Sequence, residues 1–175
     1  MSRQNKQNII RLVLKVVLPI ACLLWLAFIF SNSLQTGEES SQQSMAVVET
    51  VQQVAQVIAP ESEIANATGD AYEELHSTIR SCAHFSEFSV LGALLCWCYF
   101  VYTFSWQHAY LPVIGVLLVP LFDEGIQILV AGRGWEIADL LLDAGGGAVG
   151  ILFAALSILL GKWIYKKTAT KGVNI

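Results

Sequence analysis

Ionisable side chains sit inside an apolar stretch that runs from residue 123 to residue 150. Four carboxylates lie on or beside its apolar helix pattern: Asp123, Glu124, Asp139 and Asp143. Ionisable groups at membrane depth are costly, so each of them needs a partner or a function. An excess of acid in a water-accessible cavity suits a divalent cation, a cationic ligand or proton transfer.

A second chemical pattern precedes this stretch. Arg80, His84 and Glu87 are spaced i, i+4 and i+7, which places them on one face of a helix. An imidazole and a carboxylate then lie on adjacent turns, an arrangement that suits metal ligation or an acid/base pair. Arg80 and Arg133 could hold a phosphate or a carboxylate through paired hydrogen bonds.

The candidate site divides by role into two sets. The catalytic candidates are His84, Glu87, Asp123, Asp139 and Asp143. The candidates for substrate binding are Arg80, Glu124, Gln127 and Arg133. The residues do not identify a cofactor, and a divalent metal is one that these residue types allow.

The structural alternative is a set of interhelical ion pairs, which fits Glu124 and Glu136 best. Two arginines and one histidine facing this many carboxylates leave excess acid, which a purely structural network would not need.

The composition indicates a membrane protein. The chain is 55% hydrophobic and 14% charged, whereas soluble domains carry about 25% charged residues. Only two cationic side chains, Arg80 and Arg133, lie away from the chain ends. The others are Arg3, Lys6, Arg11, Lys15, Lys162, Lys166, Lys167 and Lys171. Because cytoplasmic segments carry excess Lys and Arg, we expect both termini in the cytoplasm. Nothing in this pattern indicates a nucleic-acid partner.

Four apolar segments are long enough to span a bilayer, which takes about 20 residues in a helix. They cover about residues 12–30, 82–104, 109–130 and 137–165. The first resembles a secretory signal, but no small-x-small cleavage site follows it, so we expect an uncleaved anchor. The predicted fold class is all-α: a polytopic membrane helical bundle of four transmembrane helices, in a single domain over residues 1–175.

Residues 31–79 form the one substantial segment between spans. They carry eight acids and no Lys or Arg, so we expect them outside the cell. Thr36 and Glu39 fit a capping box, and apolar residues at helical spacing then predict an extracytoplasmic amphipathic helix over 38–59. That helix lies either on the outer surface or against the bundle. Residues 61–72 are predicted to be a loop, and residues 73–82 are a candidate early start of the next helix.

This topology brings separate parts of the sequence to one place. The polar clusters at residues 80–87, 123–133 and 139–143 lie at the outer ends of three spans, so they should converge at one depth. Gly146 and Gly150 continue the helix face of the last cluster. Glycines at this spacing let a neighbouring helix approach closely, which would bring spans together beneath the polar site.

The chain resembles the VanZ-like family of bacterial membrane proteins. The resemblance rests on Phe30-Ser-Asn-Ser, Gly37-Glu-Glu-Ser, Arg80-x-x-Ala-His84-Phe-x-Glu87-Phe, Leu91-Gly92, Asp123-Glu-x-x-Gln127, Gly132-Arg133, Asp139 and Gly147-x-x-Gly150. The family pattern often has Asn where this chain has Asp143, and often has Lys where it has Ser81. The resemblance implies a multi-pass protein of the bacterial cell membrane. It also implies a link to resistance to glycopeptide antibiotics, especially teicoplanin, which carries a lipid chain and acts on cell-wall precursors.

Two functions stay open on this basis. An enzyme would use the carboxylates and His84 to modify a lipidated drug or a lipid-linked precursor, with Arg80 and Arg133 holding an anionic group. A non-catalytic binder or accessory protein would sequester the lipoglycopeptide or alter access to its target, with the helix over 38–59 as a lid. A small transporter is less favoured because four spans show no inverted repeat. The expected partners are membrane lipids and a lipoglycopeptide or lipid-linked cell-wall precursor.

Overall fold

Five helices make up the part of the chain that the computed structural model describes, residues 3–171, and no strand occurs there. They are α1 (Arg3–Ser33), α2 (Gly37–Ile58), α3 (Asp70–Thr103), α4 (Tyr110–Gln127) and α5 (Ile137–Lys171). The all-α prediction is confirmed. The side chains of Arg3, Lys6 and Lys171, predicted to mark the cytoplasmic ends, lie outside the described part.

Four of these helices, α1, α3, α4 and α5, are long and apolar enough to cross a membrane. The shortest is α4, whose 18 residues give a length of about 27 Å, close to the roughly 30 Å of a hydrocarbon core. Large apolar side chains such as Leu23 and Phe153 point outward from the bundle. An outward apolar surface of this kind matches lipid, so the helical lengths and the side chains agree with a four-span bundle.

The helix that contains the second span begins before residue 82, as the sequence suggested, and three residues before residue 73. Helix α3 starts at Asp70, so the end of the predicted loop over 61–72 is helical and residue 82 lies well inside α3. Asp70 and Glu73 occupy its first turn, where carboxylates interact favourably with the positive end of the helix dipole. Because this extension is polar, the apolar content of the sequence does not predict it. It also places Arg80 in a continuous helix with the apolar part of α3.

The third span ends earlier than predicted, at Gln127 rather than at residue 130. The chain then turns, with Gly132 in a left-handed conformation at φ 75° that favours glycine. This connection docks on the start of α2: the backbone N–H of Gly37 donates to the carbonyl of Ala131 at 3.0 Å. A Cβ on Gly37 would collide with the Gly132 carbonyl, so the contact requires glycine.

Glycines hold α3 and α5 together, and this pair forms the most extensive helix contact of the bundle. A Cβ on Gly92 of α3 would collide with the backbone of Gly147 in α5. A Cβ on Gly146 would meet the Phe85 carbonyl, and one on Gly150 would meet the Ser89 carbonyl. The predicted glycine strip is therefore confirmed, and its partner is α3. Close backbone approach fixes the height of the α3 polar residues against those of α5.

The predicted amphipathic helix is confirmed as α2, which packs on α3. Its capping box forms: Glu39 N–H donates to the Thr36 hydroxyl at 3.2 Å, and Thr36 N–H donates to the Glu39 carboxylate at 2.8 Å. These bonds lower the pKa of Glu39, the Thr36 backbone contributing most. Val48 is buried, whereas Val54 and Ile58 remain exposed. Helix α2 thus covers the bundle along one side and leaves much of its apolar face free.

Candidate functional site

The candidate site lies at the end of the bundle opposite the lysines of α5. The end of α1, the first half of α3, the end of α4 and the start of α5 meet there. Its centre consists of three side chains from three helices, His84, Asp123 and Asp143, with potential ligand atoms within 4.8 Å of one another. The sequence placed these residues in separate clusters, and the bundle brings them together.

Asp143 and His84 face each other without a hydrogen bond. The His84 Nδ1 atom lies 3.6 Å from the Asp143 carboxylate, beyond good hydrogen-bond length. Asp143 is completely buried, and neither of its oxygens has a hydrogen-bond partner among the described residues. The His84 Nδ1 is likewise buried and unpaired there. A buried carboxylate without hydrogen bonds is costly in this position, and His84 balances its charge only when the imidazole is protonated.

Asp123 is held from two sides. The Ser33 hydroxyl donates a short hydrogen bond to one carboxylate oxygen, and the Gln127 amide donates to the other at 2.9 Å. Ser33 closes α1, whereas Gln127 lies one turn after Asp123 in α4. Gln127, which the sequence suggested for substrate binding, is buried, is absent from the wall of the neighbouring cavity and holds Asp123. The orientation of this carboxylate is therefore fixed by helices α1 and α4 together.

Helix α1 contributes residues that the sequence reasoning did not assign to the site. The Asn32 amide donates to the Glu87 carboxylate at 2.9 Å. The Trp25 indole N–H donates to the backbone carbonyl of Glu87 at 2.8 Å. A signal was available, because Ser31, Asn32 and Ser33 are polar residues that directly follow an apolar run.

The two arginines lie at the outer rim of this centre. Arg80 makes a 3.9 Å ion pair with Asp139, and more than a third of its side chain is exposed, so that pair stabilises little. Arg133 lies in the turn between α4 and α5, and its Nε has no hydrogen-bond partner among the described residues. Burial and the neighbouring Arg80 guanidinium lower the pKa of Arg133. Both arginines line the cavity that lies beside the centre.

Glu124 has a structural contact. It is completely buried, and its carboxylate accepts the backbone N–H of Glu136 at 3.0 Å. The bond ties the turn that carries Arg133 to the end of α4. Glu124 lies outside the group formed by His84, Asp123 and Asp143. Its hydrogen bond to Glu136 is structural and gives no support to the predicted role in substrate binding.

A cavity of about 330 Å³ opens beside the centre. The predicted site residues in its wall are Arg80, His84, Glu87 and Arg133. The first half of α2 forms the opposite wall with Ser40, Gln43, Ser44 and Val47. Asp123 and Asp143 lie behind this wall rather than in it. His84 connects the two regions, because it lines the cavity and also faces Asp143.

Comparison with known proteins places the chain in a family. The model of the VanZ/LLP1 family matches residues 18–160, which is most of the chain. This protein belongs to the VanZ/LLP1 family. The chain is thus a VanZ-like, multi-pass membrane protein associated with resistance. No curated protein and no solved structure matches it.

The VanZ-like motifs of the sequence are the residues that the fold gathers at this end of the bundle. The α3 motif supplies His84 and Glu87, and the α4 motif supplies Asp123. The Ser-Asn-Ser motif after the first apolar run supplies the donors that hold Asp123 and Glu87. The Gly147-x-x-Gly150 motif packs α5 on α3. The family motifs therefore describe one polar centre and the helix packing beneath it.

Proposed function

We propose that this VanZ-like protein lowers susceptibility to a lipoglycopeptide of the teicoplanin type, by acting at the outer face of the membrane. The substrate in this proposal is an amphiphile with an anionic polar group, either the lipidated drug or a lipid-linked cell-wall precursor. The observation that carries the proposal is the cavity wall, in which two arginines lie beside an imidazole and a carboxylate in a membrane bundle.

The charges of the cavity support an anionic group as the ligand. Arg80 and Arg133 both line it, and Arg80 has only a long ion pair with Asp139. A phosphate or carboxylate between the two guanidinium groups would relieve their repulsion and could accept several hydrogen bonds from them. Loss of one charged hydrogen bond of this kind costs about 1.5–3 kcal/mol, roughly a tenfold to hundredfold change in affinity.

The surroundings of the cavity support a lipidated substrate. The cavity lies between α2 and the ends of the transmembrane helices α1 and α3, whose outer faces are apolar, so a lipid chain could stay in the bilayer while the polar group enters. Behind the wall, His84 with Asp123 and Asp143 offers groups for proton transfer, as an enzyme would need.

A non-catalytic binder is the second candidate, and one observation favours it. Helix α2 forms a wall of the cavity and packs on α3. Its further contacts are the Gly37 N–H bond to Ala131 and the amide bonds of Gln52 and Gln56 to the segment before α3. A cover of this kind suits capture of an amphiphile without chemical change. Drug and envelope lipids extracted from cells with and without the protein separate the two: an enzyme produces a new species, whereas a binder does not.

The test of the proposed function uses two glycopeptides that share a core, one with a lipid chain and one without. Cells should carry wild-type protein, Arg80→Gln or Arg133→Gln at equal membrane levels, with Lys162→Gln at the other end of the bundle as the control. We expect both arginine variants to lose roughly tenfold or more of the protection against the lipidated drug, and Lys162→Gln to retain it. Full protection in both arginine variants would refute the proposal.

A further inference from the structure

We infer that His84, Asp123 and Asp143 bind one divalent first-row metal ion, of which Zn²⁺ and Mn²⁺ fit the ligands best. The inference starts from Asp143, a completely buried carboxylate with both oxygens unpaired among the described residues. A buried carboxylate without hydrogen bonds is strongly unfavourable, and the buried Nδ1 of His84, which also lacks a hydrogen bond, faces it at 3.6 Å. Both groups have unshared electron pairs directed into the same space.

The distances suit a metal ion that draws its ligands inward. Potential ligand atoms of the three side chains lie within 4.8 Å of one another. With bonds of about 2.0–2.2 Å to nitrogen and oxygen, neighbouring ligand atoms around a tetrahedral ion are roughly 3.3–3.6 Å apart. Binding would therefore draw the most widely separated atoms inward by up to roughly 1.5 Å. The 3.6 Å separation of His84 and Asp143 already lies in the range of neighbouring ligands.

The donor types select among divalent ions. Mg²⁺ and Ca²⁺ prefer sites made of oxygen alone, whereas imidazole nitrogen favours transition metals. One imidazole and two carboxylates form a mixed site that suits Zn²⁺ or Mn²⁺. Two negative charges from Asp123 and Asp143 would neutralise the ion. Burial of the neutralised ion with its ligands costs much less free energy than burial of the two carboxylates alone.

The surroundings supply the support that metal ligands require. Metal-binding carboxylates are themselves held by hydrogen bonds, and Asp123 accepts bonds from Ser33 and Gln127. An ion can reach the site through the cavity of about 330 Å³, because His84 lines it. Three protein ligands leave a coordination position open, as in catalytic rather than structural metal sites.

Metal analysis of the full-length protein in detergent tests this inference. The protein is stripped with a chelator, reloaded with Zn²⁺ or with Mn²⁺, separated from free ion and assayed for metal per chain. We expect about one ion per wild-type chain, and at least a tenfold loss in Asp143→Asn. Glu124→Gln is the matched control, since it changes another buried carboxylate outside the group and should keep the ion.

A second measurement decides the matter if Asp143→Asn does not fold. Ser33→Ala removes the hydroxyl that bonds to Asp123 and to the Ile29 carbonyl of its own helix, and loss of such an outer partner weakens metal affinity by about 10–100-fold. Wild-type protein that holds no ion under saturating Zn²⁺ and Mn²⁺ would overturn the inference. So would unchanged metal content in a folded Asp143→Asn together with unchanged affinity in Ser33→Ala.

The metal site does not depend on the identity of the substrate. A protein without metal whose arginine variants lose protection contradicts only the metal inference. A metal-loaded protein whose arginine variants keep full protection contradicts only the proposed function. The two experiments therefore fail separately.

Discussion

At the scale of single residues, the buried polar groups divide into those that are paired and those that are not. Asp123 and Glu124 accept hydrogen bonds from neighbouring elements. Asp143 is equally buried, yet neither of its oxygens has a partner in the described part of the chain. A network that serves only to hold helices together satisfies its buried members, because each unpaired one lowers stability. One oxygen of Glu124 and the His76 Nε2 are also unpaired among the described residues. Asp143 and His84 are therefore distinguished because their donor atoms share one space with Asp123.

The contact of Glu124 gives a prediction about stability. Glu124→Ala removes the acceptor of the Glu136 N–H and leaves a space at a fully buried position, which together cost roughly 1–3 kcal/mol. Glu124→Gln keeps an acceptor oxygen and should stay within about 1 kcal/mol of wild type. Unfolding in detergent followed by circular dichroism measures both. Equal destabilisation by the two substitutions would show that charge, rather than the hydrogen bond, is what the position requires.

At the scale of helices, periodicity predicted which residues share a face, but it did not predict every partner. The spacing of Arg80, His84 and Glu87 correctly indicated one face, and all three line the cavity. The part played by α1 was missed, because Asn32 and Ser33 are neutral and end an apolar span. Their role depends on tertiary contacts with α3 and α4, which no local pattern contains.

Boundaries were predicted less well than faces, for a physical reason. A span is recognised by its apolar content, whereas a helix continues as long as its backbone hydrogen bonds are made. Helix α3 therefore extends back to Asp70 through polar residues, while α4 stops at Gln127 although apolar residues follow. The left-handed Gly132 and its contact with α2 decide where that apolar sequence turns.

The contact between α3 and α5 gives a prediction at this scale. In Gly150→Ala the new Cβ meets the backbone of Ser89 and Ala93, which can give way only if the helices separate. We expect a loss of about 1–3 kcal/mol or more in stability. Gly161→Ala in the same helix meets nothing within 4 Å and should gain up to about 1 kcal/mol through helix propensity. Thermal unfolding of the two variants side by side tests the contrast.

At the scale of the whole molecule, the charges lie at opposite ends of the bundle for different reasons. Lys162 and Lys167 lie at the end of α5, over aromatic rings that suit a membrane interface. The other end holds the carboxylates, Arg80 and Arg133. The positive-inside rule then predicts that the lysine end faces the cytoplasm and that the cavity faces outward.

Cysteine labelling tests this orientation in whole cells. The native Cys82 is exposed, so the background should be Cys82→Ser. Glu63→Cys lies in the segment between α2 and α3, and Thr168→Cys lies at the lysine end. We expect a membrane-impermeant maleimide to label the first and to reach the second only after the cells are opened. The reverse pattern would place the cavity at the cytoplasmic face and remove its access to the outer leaflet.

The most direct test of a functional rather than structural centre is Glu87→Gln. Its amide oxygen can still accept the Asn32 hydrogen bond, so the packing is kept while the charge in the cavity wall is lost. Susceptibility to the lipidated glycopeptide should be measured at matched membrane levels of wild-type and variant protein. We predict a normal membrane level and unfolding temperature with most of the protection lost. Full protection at a normal level, or disappearance of the protein from the membrane, would contradict a functional centre at this end of the bundle.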